Sequence, residues 1–226
     1  MTELESVMTS LRENANPENV AGMRRYGINA EGTLGVSMPV MRHLARPYRR
    51  NQPLSLALWE TGIHEARIMA GLTGDPRQVT SSQMDDWVLD LDSWDVCDQL
   101  CSNLFRYTPL AYAKSLEWSS RPEEFVKRAG FVLMVCQALP RIDTPPERLE
   151  EFLDIVRREA GDNRNFVKKA VNWALRQIGK HNRRFNRAAL ETANGLLESD
   201  SASARWIAAD AIRELKSAAV AARLRP

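Results

Sequence analysis

The sequence predicts an all-α protein built from stacked pairs of short helices, and three observations carry that prediction. Apolar residues recur at helical spacing along almost all of the 226 residues. Alternating apolar and polar runs of the kind a half-buried strand needs are absent, so no sheet is expected. One helical stretch also returns farther along the chain at a fixed offset, as repeat architectures do.

Taken in order, the elements number about a dozen. Pro17 and Pro39 suit first helical turns, where a missing N–H costs no hydrogen bond. Thr80-x-x-Gln83 reads as a capping box, Pro109 and Pro122 open further helices, and Asp162 or Asn163 can cap the next. Connections are short; the longest loop runs from Gly27 to Ser37 and carries Gly27, Gly32 and Gly35. No stretch is long or polar enough for an interdomain linker, so a single domain over residues 1–226 is expected. Glu124-Phe-Val-Lys-Arg-Ala129 returns as Asn165-Phe-Val-Lys-Lys-Ala170, an offset of 41 residues. Weaker echoes occur at His64-Glu-Ala-Arg67-Ile-Met-Ala70 and Ser203-Ala-Arg205-Trp-Ile-Ala-Ala209. The period is that of HEAT repeats. HEAT-like helical repeats stack into a right-handed α-α superhelix lined on its inner surface by equivalent helices, so equivalent positions are expected to converge on one groove.

Composition narrows the function classes. The chain begins Met-Thr-Glu-Leu-Glu, acidic where a secretory signal is basic, and no apolar run approaches the roughly 18 residues of a membrane span, so a cytoplasmic protein is expected. Three cysteines argue against a disulfide framework; Cys97 and Cys101, one turn apart in an apolar stretch, read as buried thiols. A zinc site needs about four convergent ligands, whereas Cys136, His43, His64 and His181 are scattered, so no metal is expected. No Gly-rich phosphate loop is present and no cofactor is expected.

A net charge of +2 does not announce a polyanion partner, but its distribution is uneven. Residues 157–187 hold ten Lys and Arg against two acids. Arg42, Arg46, Arg49 and Arg50 form a second cluster with no acid between Ser37 and Asn51, at the spacing of one helix face that Pro47 can kink. A polyanion could span both; the alternative is a pair of solvated faces neutralised by Asp85, Asp86, Asp90 and Asp92.

In Asp92-Ser-Trp-Asp-Val-Cys-Asp98 the acids are not equivalent. Asp95 is placed to serve the free N–H groups and positive dipole end of a helix. Asp98 lies four residues after Trp94, so carboxylate and indole share a face. Taken alone, that pair also fits a core tryptophan beside an acid bound to an arginine. Arg128 borders the apolar stripe of Phe125, Ala129, Val132 and Cys136, where its fork suits a phosphate. Lys169, Trp173, Arg176 and Lys180 place an indole within a basic stripe, a pattern that suggests nucleotide contact and equally fits ordinary amphipathic packing.

The run of Leu34-Gly-Val, Trp59, Ser93-Trp94-Asp95-Val-Cys-Asp98, Lys127-Arg128-Ala129 and Ala170-Val-Asn-Trp173-Ala-Leu-Arg176 resembles the AlkD branch of bacterial DNA alkylation repair enzymes over residues 20–215. The better-known members have two adjacent tryptophans where this chain has Ser93-Trp94, and the loop after Tyr26 is longer here. The resemblance implies that Trp94, Trp173 and Asp98 contact the deoxyribose of a lesion and that Arg128 holds its phosphodiester. It implies a DNA glycosylase acting on alkylated purines in double-stranded DNA, a step of base excision repair. The chemistry agrees: N3 or N7 alkylation makes a purine a cationic leaving group, and what remains is to stabilise cationic sugar with a carboxylate and aromatic faces. Lys169, Arg176, Lys180, Arg42 and Arg46 are then candidate DNA contacts, and no lysine is placed for Schiff-base strand cleavage. A monomer is expected. The alternative is a non-catalytic HEAT-like module for damaged or branched DNA, and a third reading is a scaffold for protein partners.

Overall fold

The computed structural model describes residues 1–224, and among them all regular structure is helical. Contacts cluster into two compact units, Met1–Ala111 and the chain from Tyr112 onward, within what the sequence suggests is one continuous domain.

The first unit contains α1 (Glu3–Glu13), α2 (Pro17–Arg25), α3 (Met38–Ala45), α4 (Gln52–Glu60), α5 (His64–Thr73), α6 (Ser81–Leu89) and α7 (Trp94–Asn103), with 3-10 turns at Arg46–Tyr48 and Phe105–Tyr107. The starts follow local chemistry. Asn16 caps α2 through the N–H groups of Glu18 and Asn19, with Pro17 in the first turn, and Asn51 caps α4 through Leu54. Thr80 caps α6 by accepting from the Gln83 N–H at 3.1 Å, but the Gln83 side chain accepts from Gln52 instead of closing the box. α5 is the centre of the unit and packs on α3, α4 and α7. Ala66, Met69 and Ala70 of α5 are fully buried, as are Leu58, Cys97 and Leu100. Trp59 stacks on Trp87 with ring centroids 4.2 Å apart.

The second unit contains α8 (Ala111–Ser119), α9 (Glu124–Gln137), α10 (Pro146–Glu159), α11 (Asn165–Gly179), α12 (Arg183–Leu197), α13 (Ala202–Leu215) and α14 (Ala218–Ala221). α11 packs on α9, α10, α12 and α13. The two copies of the repeated stretch begin α9 and α11 at the same motif position, and Phe125 and Phe166 meet with centroids 5.6 Å apart. Val167, Ala170, Val171, Ala174 and Ile178 give α11 one fully buried apolar stripe. α8 and α9 approach closely enough to require glycine: a Cβ on Gly130 would stand 2.7 Å from the Ser119 backbone nitrogen.

Candidate nucleic-acid interface

In the first unit the first turn of α7 carries the acid and aromatic pair. Trp94 is half-buried and its Nε1 donates to the Tyr26 carbonyl at 3.0 Å, which fixes the indole against the end of α2. Asp98, one turn along, is buried to 9% exposure. Asp95 does not cap the helix: its Oδ2 accepts from His64 Nε2 at 2.9 Å. Burial opposes a charged His64, but the Asp95 hydrogen bond, with the charges of Asp95, Glu65 and Asp92, outweighs it and holds the imidazole above its ordinary value.

The loop between α2 and α3 is tied down rather than free. The fully buried Glu65 carboxylate accepts from the N–H groups of Leu34 (2.9 Å), Gly35 (2.6 Å) and Val36 (3.3 Å). Asn29 adds bonds to Ser93 Oγ (2.9 Å) and Asp92 (2.6 Å). Gly35 has φ +76°, and a Cβ there would lie 2.1 Å from the Asn16 carbonyl oxygen, so only glycine fits. Tyr26, whose carbonyl holds Trp94, is 73% exposed and shares with it a cavity of about 480 Å³. Sequence reasoning did not single out Tyr26; its position just past the basic end of α2, before the longest loop, was the available signal.

At the other end of these helices Arg42, Arg46, Arg49 and Arg50 are exposed and border a cleft of about 750 Å³. They do not lie on one helix face as their spacing suggests. α3 stops at Ala45, Pro47 falls within the 3-10 turn, and the chain turns through Arg50 at φ 60°; the turn, not a helix, brings the four together.

In the second unit Arg128 is buried, and its Nη1 donates to the Phe166 carbonyl at 2.8 Å, joining α9 to α11. Its neighbour Lys127 is buried between Glu159 (2.7 Å) and Asp162 (3.3 Å). The Arg164 hydrogen bond, with help from Lys127, lowers the Asp162 pKa to about 2. Along α11, Lys169 is exposed and Trp173 is half-buried against the core. Arg176 and Lys180 are partly exposed and already paired within the protein: both meet Glu214 of α13, Lys180 at 2.7 Å, and Arg176 also approaches Asp210 at 3.6 Å. The excess charge of residues 157–187 is likewise met from outside the segment, with Arg157 on Asp154 and Arg184 on Glu150. The acids that neutralise it are these rather than Asp85, Asp86, Asp90 and Asp92.

No helix among the described residues is long and apolar enough to cross a membrane, and they hold no group of three metal-ligating side chains.

Helix pairs repeating at this period, with aromatic and basic side chains along successive helices, define a HEAT-like helical-repeat protein. The chain belongs to the family described as DNA alkylation repair enzyme, whose profile matches residues 7–215. Among solved structures it is similar to one from "a new family of proteins related to the HEAT-like repeat DNA glycosylases with affinity for branched DNA structures", with a TM-score of 0.79 at 19% identity over 94% of this chain and 95% of that one. An engineered protein aligned over 96% of this chain and 99% of its own, at 15% identity, reaches a TM-score of only 0.38 and carries no argument. No curated protein matches.

Proposed function

We propose that this protein is a monofunctional DNA glycosylase that hydrolyses the N-glycosidic bond of cationic N3- or N7-alkylpurines in double-stranded DNA, working as a cytoplasmic monomer without a cofactor. The observation that carries this reading is the buried carboxylate of Asp98 one helical turn from the anchored indole of Trp94, in a chain of the DNA alkylation repair family.

The roles follow from the chemistry. An alkylated purine leaves as a neutral base, so the bond to the anomeric carbon breaks with little acid assistance. Positive charge then develops on the sugar, where the Asp98 carboxylate, itself buried, stabilises it. Water adds to the anomeric carbon, and Asp98 is the group to orient it. Trp94 and Trp173 present aromatic faces to the deoxyribose. Arg128, set by the Phe166 carbonyl, is the phosphodiester contact, and Lys169 is a further backbone contact.

The test is release of free bases from methylated DNA, with 3-methyladenine resolved from 7-methylguanine. Release of either supports the reading. Tight binding without release of any alkylpurine sinks it and favours the non-catalytic alternative, which gains interest from the branched-DNA affinity described for the similar solved structure. A four-way junction compared with linear duplex separates those two outcomes.

A further inference from the structure

The four arginines from the last turn of α3 to the start of α4 stand apart from the acids of the described residues. Among the described residues none of them has a carboxylate within ion-pair distance. Asp75, which falls in sequence between the cleft-lining Gly74 and Pro76, is committed to Arg77 and Gln78. Helix dipoles do not explain the cluster. Arg42 is in the last turn of α3, where a cation is favoured, but Arg49 and Arg50 directly precede α4 and so stand at its positive end. Arg50 also holds the left-handed conformation that side chains other than glycine avoid.

The turn is nevertheless rigidly framed. The Asn51 N–H donates to the Thr73 carbonyl (2.8 Å), its Oδ1 accepts from Leu54 N–H (3.1 Å), and its Nδ2 donates to Glu3 (2.7 Å). The backbone that carries the guanidinium groups around the concavity is therefore held in place, an arrangement suited to several phosphates at once. Across the cleft Tyr107 is 63% exposed, and the Arg106 guanidinium lies 5.1 Å from the centre of its ring. A bare anion has no use for an exposed aromatic face, whereas a nucleotide stacks on one.

We propose that this cleft is a second nucleic-acid contact, taking consecutive backbone phosphates of a strand on Arg42, Arg46, Arg49 and Arg50 and a base of that strand on Tyr107. The inference rests on the DNA-binding part of the proposed function and not on base excision. Asn103, in the cleft wall, ends the helix that Trp94 begins. At 1.5 Å per residue the two ends of α7 lie roughly 14 Å apart, about four nucleotide steps along a strand. The cleft thus extends the footprint well beyond the lesion.

The test uses the full chain and a fluorescein-labelled undamaged duplex with a single-stranded extension, which offers unpaired bases to Tyr107, with binding followed by polarisation over a salt series. Arg46→Ala/Arg49→Ala should weaken binding tenfold or more at low salt and flatten the slope of log affinity against log salt by about 2, one per lost phosphate contact. Arg183→Ala/Arg187→Ala, an equal charge change on α12, should do much less. Tyr107→Ala should weaken DNA binding several-fold without changing the thermal shift given by sodium pyrophosphate. Circular dichroism establishes that each variant is folded. An unchanged slope in the first pair, equal loss in the control pair, or loss of the pyrophosphate shift with DNA binding intact each overturns the proposal. Absence of base release from methylated DNA, with the wild-type slope and its loss as described, counts against the glycosylase reading alone.

Discussion

The arginine turn of the first unit and the basic face of α11 in the second are built from the same residue types in different electrostatic company. Arg42, Arg46, Arg49 and Arg50 are exposed around a cleft with no acid partner among the described residues, while Arg176 and Lys180 converge on Glu214 and Lys127 lies between Glu159 and Asp162. Among the described residues the arginine turn of the first unit has no carboxylate within ion-pair distance, whereas charge in the second unit mostly joins one helix to the next. A count of basic residues therefore says little about a polyanion site until the acids delivered by neighbouring helices are included.

The largest effect expected from this division is on chemistry. Asp98→Asn keeps the size of the side chain and removes the charge; it should lower single-turnover excision of alkylpurines by about 10²-fold or more with DNA binding retained. Asp95→Asn, three residues away, should leave turnover near normal, since that acid serves His64. Equal losses in the two variants would mean that the first unit uses its acids structurally, as the second does.

Next in size is a loss of stability in the second unit. Lys127→Ala leaves the half-buried Glu159 and Asp162 with one cation fewer, and the melting transition should report a destabilisation of about 1 to 3 kcal/mol, tempered because Arg158 and Arg164 remain. A variant as stable as wild type would show that the pairing is incidental.

Glu214→Gln turns one region into the other. With the shared carboxylate gone, Arg176 and Lys180 become available to phosphates, so DNA affinity should rise a few-fold and its salt slope steepen by about 1. No change in slope would show that α11 stays out of the interface even when its cations are released.

The smallest effect is a pH dependence inside the first unit. His64 is held above its ordinary value of 6.5, so its pairing contributes fully below that value and is lost as pH rises through the higher folded value. The melting temperature should fall across that interval on raising the pH, and Asp95→Asn should flatten the fall. An identical profile in the variant would assign the titration to another group.

Much of the fold was legible because it is local. The apolar stripe of α11 and the motif shared by Glu124–Ala129 and Asn165–Ala170 are statements about residues three and four apart, and helices form where those patterns fall. The site was legible in its composition and less so in its geometry. Asp95 reads as a helix cap until a histidine 31 residues earlier takes its oxygen, and nothing near Lys127 in sequence announces the two acids from beyond α9 that enclose it. The arginine cluster was visible as charge, but its convergence depends on a helix that stops at Ala45 and a turn that no helical spacing describes. Partners that arrive across packed helices are tertiary facts, and a linear reading has no access to them.

The grip of Glu65 on the loop has a kinetic consequence. Three consecutive amides share one side chain as acceptor, so no one of them is released when a single neighbouring backbone bond frays. Withdrawal of the carboxylate would release Leu34, Gly35 and Val36 together, so deuterium exchange should report a common opening free energy for the three amides. An irregular segment that ordinarily loosens residue by residue is here tied to a single side chain, and the carbonyl of Tyr26 that steadies Trp94 precedes it in the chain.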